Sequence, residues 1–220
     1  MMFKKPKNVR VMGYYPIFLN LAGRRCVVVG GGSVAERKIE ALLQVGATVT
    51  VISPSLTKTL ESRAEEGKIG YIMREYRAGD LAGNQLVYIA TDDPEVNAAA
   101  YREGQERGVW VNVADDPLHC DFILPSVLRR GELMVAVSTG GSSPALARAI
   151  REELEVYFTD DYATLAEIVC DVRRKMKEHC LSPSVEAWHD ALDGDLRRLV
   201  REGNQREAKA YLLRRLGAEI

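Results

Sequence analysis

Two short stretches of this chain hold residue types at spacings that chemistry can use. Gly30-Gly31-Gly32-Ser33-Val34-Ala35 matches G-x-G-x-x-A. In that pattern the first glycine makes a tight turn, the second lets the backbone approach an anion, and the closing alanine lets a helix pack closely on a strand. The first N–H groups of such a helix carry partial positive charge and suit a pyrophosphate. Further on, Asn112-Val113-Ala114-Asp115-Asp116-Pro117 places two carboxylates just after a β-branched run. A carboxylate there can take the proton lost when a saturated carbon gives up a hydride. The same aspartates can equally organise a turn before Pro117, and spacing leaves both readings open.

The elements around these stretches are legible from periodicity. Cys26 to Val29 is a continuous apolar run of the kind found in a central parallel strand, buried on both faces. Val34 to Val45 reads as a helix, with Ile39, Leu42 and Leu43 on one side and Glu36, Arg37, Lys38 and Glu40 largely on the other. Gly46 closes it. Thr48 to Ile52 is a second strand, followed by Ser53-Pro54-Ser55. Leu56 to Glu66 reads as a helix, Ile69 to Met73 as a strand, and Arg74 to Gln85 mostly as loop. Leu86 to Ala90 (strand), Pro94 to Arg107 (helix) and Trp110 to Val113 (strand) complete the alternation. Strand and helix alternating at this spacing mean a parallel sheet with crossover helices, a Rossmann-type α/β domain over residues 1–113.

After Asp115 the pattern changes. Phe122 to Leu128 and Leu133 to Ser138 read as a hairpin around Arg129-Arg130-Gly131-Glu132. Ser143 is placed to cap a helix that Pro144 opens, with Leu146, Ile150 and Leu154 as its stripe. These elements, 114–155, are the expected dimerisation segment. Residues 156–220 are expected to be a helical C-terminal domain. Its apolar faces are Leu165, Ile168, Val169, Val172 and Met176, then Leu192, Leu196, Leu199 and Val200, then Ala208, Tyr211, Leu212 and Leu216.

In this frame the candidate cofactor contacts are Gly30, Gly32, Ser33 and Val34 of the first turn, Ser53 and Pro54 after the second strand, and Thr91 after the fourth. The acid expected about twenty residues beyond the glycines, which holds a ribose 2′-OH, is missing. Ser53 stands there instead, with no arginine beside it to attract a 2′-phosphate, so NAD is favoured over NADP. For Asp92 and Asp93, capping the helix near Pro94 competes with any ligand role. Asp115, Asp116, His119, Cys120 and Asp121 are metal-ligand types in one loop. They lack recurrent zinc-type spacing and read more simply as a surface loop with one buried cysteine, so no metal is assigned.

Bulk composition narrows the class. The chain has 220 residues, 46% hydrophobic and 28% charged, with 30 basic against 31 acidic residues and a formal net charge of -1. That balance leaves no global footprint for nucleic acid. Cys26, Cys120, Cys170 and Cys180 form no C-x-x-C pair and no disulfide framework. Met1 to Arg10 is polar and basic with no apolar region of signal-peptide length after it, and Leu19 to Gly32 is too short and glycine-rich to span a membrane. A cytoplasmic protein is expected.

Several motifs in order resemble one family. Pro16-Ile17-Phe18, Val29 through Lys38, Ala90-Thr91-Asp92-Asp93, Asn112-Val113-Ala114-Asp115, Phe122-Ile123-Leu124-Pro125-Ser126 and Ala136 through Pro144 look like siroheme synthase, in particular its precorrin-2 dehydrogenase/sirohydrochlorin ferrochelatase module. The match runs in register from about Tyr15 to Leu154. The resemblance implies NAD-dependent oxidation of precorrin-2 to sirohydrochlorin, in some members followed by insertion of ferrous iron to give siroheme. It places the family's aspartate at Asp115 and implies a homodimer whose partner helps form the tetrapyrrole pocket. The larger siroheme synthases add a methyltransferase domain, for which a chain ending at Ile220 is expected to have no room. A ring bearing many carboxylates calls for arginines, and Arg129, Arg130, Arg148 and Arg151 cluster around the hairpin and its helix. Ser138, Thr139, Gly140 and Ser142, with Arg148, are the candidate substrate contacts, the loop offering N–H groups and hydroxyls at a helix N-terminus. Two alternatives stay open: a dehydrogenase without chelatase activity, and a non-catalytic NAD-sensing module, since this fold hosts many functions.

Overall fold

The computed structural model describes residues 13–218. The polar, basic start expected at Met1 to Arg10 lies outside the described residues. The chain divides into two compact units between Leu124 and Pro125, so the loop after the last parallel strand stays with the sheet, beyond the boundary expected at residue 113.

The first unit contains β1 (Arg25–Val29), α1 (Ser33–Gln44), β2 (Thr48–Ile52), α2 (Lys58–Glu65), β3 (Gly70–Ile72), β4 (Leu86–Ile89), α3 (Pro94–Arg107) and β5 (Trp110–Val113). The five strands are all parallel, in the order β3-β2-β1-β4-β5. Strand order reverses between β1 and β4, and a crevice for a ligand opens beyond the carboxyl ends at such a switch point. The β-branched runs make this sheet because both faces are covered. Cys26, Val28, Val49 and Val51 pack with Ala35, Ile39, Leu42 and Leu60 of the helices on one side. Val27, Val29, Val87, Ile89, Val111 and Val113 pack with Ala100 of α3 on the other. Burial pushes the Cys26 thiol up to about 11, so it stays a neutral apolar group in this core.

Two element starts differ from the sequence expectation by two residues or more. Helix α2 starts at Lys58, not Leu56, because the Thr57 side chain accepts from the Leu60 N–H and fixes the start. The first hairpin strand starts at Ser126, not Phe122, because Phe122 belongs to the first unit. Its ring meets Tyr88 edge-on with centroids 5.6 Å apart, and its carbonyl accepts from the Asn112 amide at 3.0 Å.

The second unit opens with β6 (Ser126–Arg130) and β7 (Leu133–Val137), an antiparallel pair, followed by α4 (Pro144–Tyr157). Leu128 is buried while Val127, Met134 and Ala136 on the alternate face are exposed. Helices α5 (Asp161–Glu178), α6 (Val185–Ala191), α7 (Gly194–Arg201) and α8 (Gln205–Arg215) follow. All three expected apolar faces meet in one core around Ile168, Val172, Met176, Leu196, Leu199 and Leu212. Among the described residues no helix is long and apolar enough to cross a membrane.

Candidate active site

The glycine turn leaves β1 and enters α1, and its three glycines do different things. Gly30 has φ +111, and a Cβ on it would lie 2.1 Å from the Ala90 carbonyl oxygen. Gly31 is packed beneath the β2–α2 loop, where a Cβ would lie 2.1 Å from the Ser55 carbonyl oxygen. A Cβ on Gly32 would meet nothing within 4 Å. Gly32 is therefore free to face a ligand, as its place in the motif suggests, while Gly31 is a steric requirement that the motif's "x" conceals. A run of three glycines was the available signal.

Gly32 is the N-cap of α1 and no side chain caps the helix. The first helical bond runs from the Glu36 N–H to the Gly32 carbonyl, so the N–H groups of Ser33, Val34 and Ala35 have no place in the helix ladder. An uncapped helix end with an exposed Gly32 and Ser33 fits the pyrophosphate of a dinucleotide.

Around the turn, the candidates divide. Ser53 is 6% exposed, and its hydroxyl donates to the Ser55 carbonyl at 2.7 Å, holding the loop on which Pro54 is exposed. Thr91 is turned onto α3: its hydroxyl donates to Asn97 Oδ1 at 2.6 Å, and its carbonyl accepts from the Asn97 amide. Asp93 caps α3 by accepting from the Glu95 and Val96 N–H groups. Asp92 takes no part in that cap.

The loop after β5 separates its two aspartates. Asp116 caps a single 3-10 turn (Pro117–His119), accepting from the Leu118 N–H, and its other oxygen meets His119 Nδ1 at 2.6 Å. The His119 contact, first of all, holds the Asp116 carboxyl below its usual range. Asp115 is exposed, has φ +58, and makes no side-chain hydrogen bond or ion pair to the described residues. Asp116 thus builds the turn and Asp115 is left available. Cys120 points its sulfur inward, accepting from the Val113 N–H at 3.2 Å. Asp121 accepts from the Val111 N–H and the Gln105 amide. Among the described residues no group of three or more His, Cys, Asp or Glu side chains is arranged to hold a metal.

Periodicity also missed Lys38. It sits on the face of α1 read as solvent-side, yet its ammonium lies over the Tyr88 ring, 5.3 Å from the centroid. Burial, then the Arg37 charge, lowers its pKa, and Cys120 and Asp115 oppose that shift. Tyr88 is paired with Asn112 in the sheet register, which places Lys38 on the approach to the Asp115 loop.

In the second unit, the loop before α4 is tied together by its own hydroxyls. Ser138 Oγ accepts from the Gly140 N–H, Thr139 Oγ1 from the Ser143 N–H, and Ser142 Oγ donates to the Thr139 carbonyl. Ser143 caps α4 by accepting from the Leu146 N–H. Arg148 is 76% exposed and pairs with Glu152 one turn along its own helix at 3.1 Å. Arg151 is engaged with Glu152 and Glu155, and Arg130 with Asp160.

A parallel sheet of order 3-2-1-4-5, with an uncapped glycine turn at its switch point, defines a dinucleotide-binding protein of the Rossmann class. A family model described as "Putative NAD(P)-binding" matches residues 17–126, and one described as "Sirohaem biosynthesis protein central" matches residues 130–157. The siroheme synthase of Nitrosococcus oceani is 40% identical over 203 residues, which are 91% of this chain and 43% of that protein. That of Chromobacterium violaceum is 39% identical over 211 residues, 94% of this chain and 44% of that protein. The solved structure named SirC, precorrin-2 dehydrogenase, superposes with a TM-score of 0.75 at 27% identity, covering 91% of this chain and 100% of that one. The chain belongs to the family described as putative NAD(P)-binding and is similar to siroheme synthases and to a precorrin-2 dehydrogenase. It spans less than half the length of the curated relatives it matches.

Proposed function

We propose that this protein oxidises precorrin-2 to sirohydrochlorin with NAD, in the formation of siroheme. One conjunction carries the proposal. The first unit holds both an uncapped dinucleotide turn and the unengaged carboxylate of Asp115, in a chain whose fold matches a precorrin-2 dehydrogenase along that structure's full length.

NAD, when bound, supplies a hydride acceptor. Gly32, Ser33 and Val34 would hold its pyrophosphate through backbone N–H groups. Asp115 takes the proton from the carbon next to the one that loses the hydride. Two hydrogens and two electrons leave the macrocycle, and one new double bond remains. Ser138, Thr139, Gly140, Ser142 and Arg148 are the proposed contacts for substrate carboxylates.

Ferrous iron as a second substrate is a separate reading, supported by the siroheme synthase name of the relatives. Assembly as a homodimer is supported by the hairpin. Two strands alone are marginal, and β6 and β7 leave Val127 and Met134 each 37% exposed beside Leu146 at 52%. We assign the hairpin and α4, within the expected dimerisation segment 114–155, to that contact, and a reducing cytoplasm to a chain whose four cysteines are free.

The test is oxidation of precorrin-2 with NAD, followed by the macrocycle absorbance, and then addition of ferrous ion. Asp115→Ala should lower turnover by about 10²-fold, the scale for losing a general base, with NAD affinity retained. Asp116→Ala should do much less. Normal turnover by the Asp115 variant alongside a dead Asp116 variant would reverse the assignment. Tight NAD binding with no turnover in the unaltered protein would favour the sensing module. Oxidation without iron insertion would leave a dehydrogenase alone.

A further inference from the structure

Strand β2 ends at Ile52 and is followed by Ser53, without the acid that commonly holds the adenosine ribose and repels a 2′-phosphate. Ser53 does not fill that place, since its hydroxyl is directed to Ser55. A carboxylate does reach this loop, from another element. Glu36, in the first turn of α1, accepts a hydrogen bond from the Thr57 hydroxyl. Thr57 is at once the cap of α2 and a clamp on the glycine turn, its N–H donating to the Gly31 carbonyl at 3.0 Å. Ser53, Ser55 and Leu56 fill the space beneath Gly31. The segment 53–57 therefore lies directly on the dinucleotide turn, and the negative charge that reaches it is Glu36's.

We propose that Glu36 is a cofactor-specificity residue: through Thr57 it holds the β2–α2 loop against the glycine turn and supplies the negative charge that β2 lacks, so the site rejects a 2′-phosphate. The inference rests on the NAD reading of the site, and not on the macrocycle that is oxidised. A 2′-phosphate carries close to two negative charges. Placed within a Debye length of a half-buried carboxylate it is repelled, and the repulsion is little screened. NAD, with a neutral hydroxyl there, does not meet it. Lys58, exposed at the first position of α2, is the cation whose influence must be separated from Glu36's.

Binding isotherms for NAD and NADP on the full chain decide this without any turnover. Glu36→Gln keeps an acceptor for Thr57 and removes the charge. It should tighten NADP by about fivefold or more relative to NAD, with NAD itself within about twofold. Glu36→Asp keeps the charge and shortens the reach, so it should keep the preference for NAD even if both affinities fall. Lys58→Ala should weaken NADP slightly and leave NAD unchanged. An unchanged NADP-to-NAD ratio in Glu36→Gln overturns the proposal, as does loss of the preference in Glu36→Asp. Equal affinities for the two dinucleotides in the unaltered protein would overturn the NAD preference itself, and Glu36's role with it. That outcome is distinct from a failure to oxidise precorrin-2, which leaves the Glu36 result standing.

Discussion

Two loops in this molecule look alike in sequence and differ in physics. Gly30-Gly31-Gly32-Ser33 and Gly140-Gly141-Ser142-Ser143 each run from a strand into a helix. In the first, a side chain on Gly30 or Gly31 would collide with backbone, and the helix that follows is left uncapped. In the second, Gly140 and Gly141 have φ +63 and +82 but open space around them. There Ser143 caps the helix and Pro144 has no N–H to offer. The first loop is shaped by packing from outside, and no side chain caps its helix end. The second is shaped by its own hydroxyls and has already used much of its helix end. Similar composition thus hides an uncapped helix end in one place and a capped one in the other.

The largest effects should come from the first loop. Gly31→Val should destabilise the protein by about 3 kcal/mol or more, since the new side chain has no space to relax into, read as a fall in the denaturant midpoint. Gly32→Asp should separate folding from binding. Its Cβ meets open space, so the melting temperature should hold while NAD affinity falls by about 100-fold or more through charge against the pyrophosphate. A Gly31→Val protein as stable as the parent would remove the contrast between the loops.

Smaller effects belong to the second loop. Ser143→Ala should cost about 1 kcal/mol, the value of an N-cap, and leave NAD binding unchanged. Gly140→Ala should also cost about 1 kcal/mol, from the left-handed backbone alone. A much larger loss for Gly140→Ala would mean that this loop, too, is packed from outside.

A pH effect falls in the first unit, away from both loops. Glu103 is buried on α3. Burial alone would raise its pKa, but donors on Tyr76, Gly79, Leu81 and Arg107 hold it below its usual value near 4.5. The folded state therefore binds this proton less readily than the unfolded chain. Its contribution is complete above about 4.5 and is lost as pH falls through the lower folded value. Glu103→Gln should weaken the acid dependence of the denaturant midpoint in that window. An unchanged slope below pH 4.5 would show that Glu103 does not govern it.

Alternating elements were legible because a doubly covered sheet needs continuous β-branched strands, and Cys26 to Val29 and Thr48 to Ile52 meet that need. The dinucleotide turn was legible because its glycines are local requirements. What periodicity could not show depends on contacts between distant residues. Glu36 and Lys38 read as solvent-side because nothing nearby in the chain says that Thr57 and Tyr88 will reach them. Phe122 read as strand because its apolar neighbours resemble one, until Tyr88 claims its ring. Nothing in the sequence marks Glu103, because its donors come from Tyr76, Gly79 and Leu81 in a loop without pattern.

The backbone at Asp115, with φ +58, has a consequence for anyone reshaping this protein. A left-handed residue after β5 is a place where a chain selected for durability alone would carry glycine. Asp115→Gly should relieve up to about 1 kcal/mol of local strain while removing the carboxylate we propose as the proton acceptor. On that proposal, stability and activity are opposed at a single residue. A screen of variants for heat resistance would drift toward silence at this position, and a hardened scaffold built from this fold would have to be protected from that improvement.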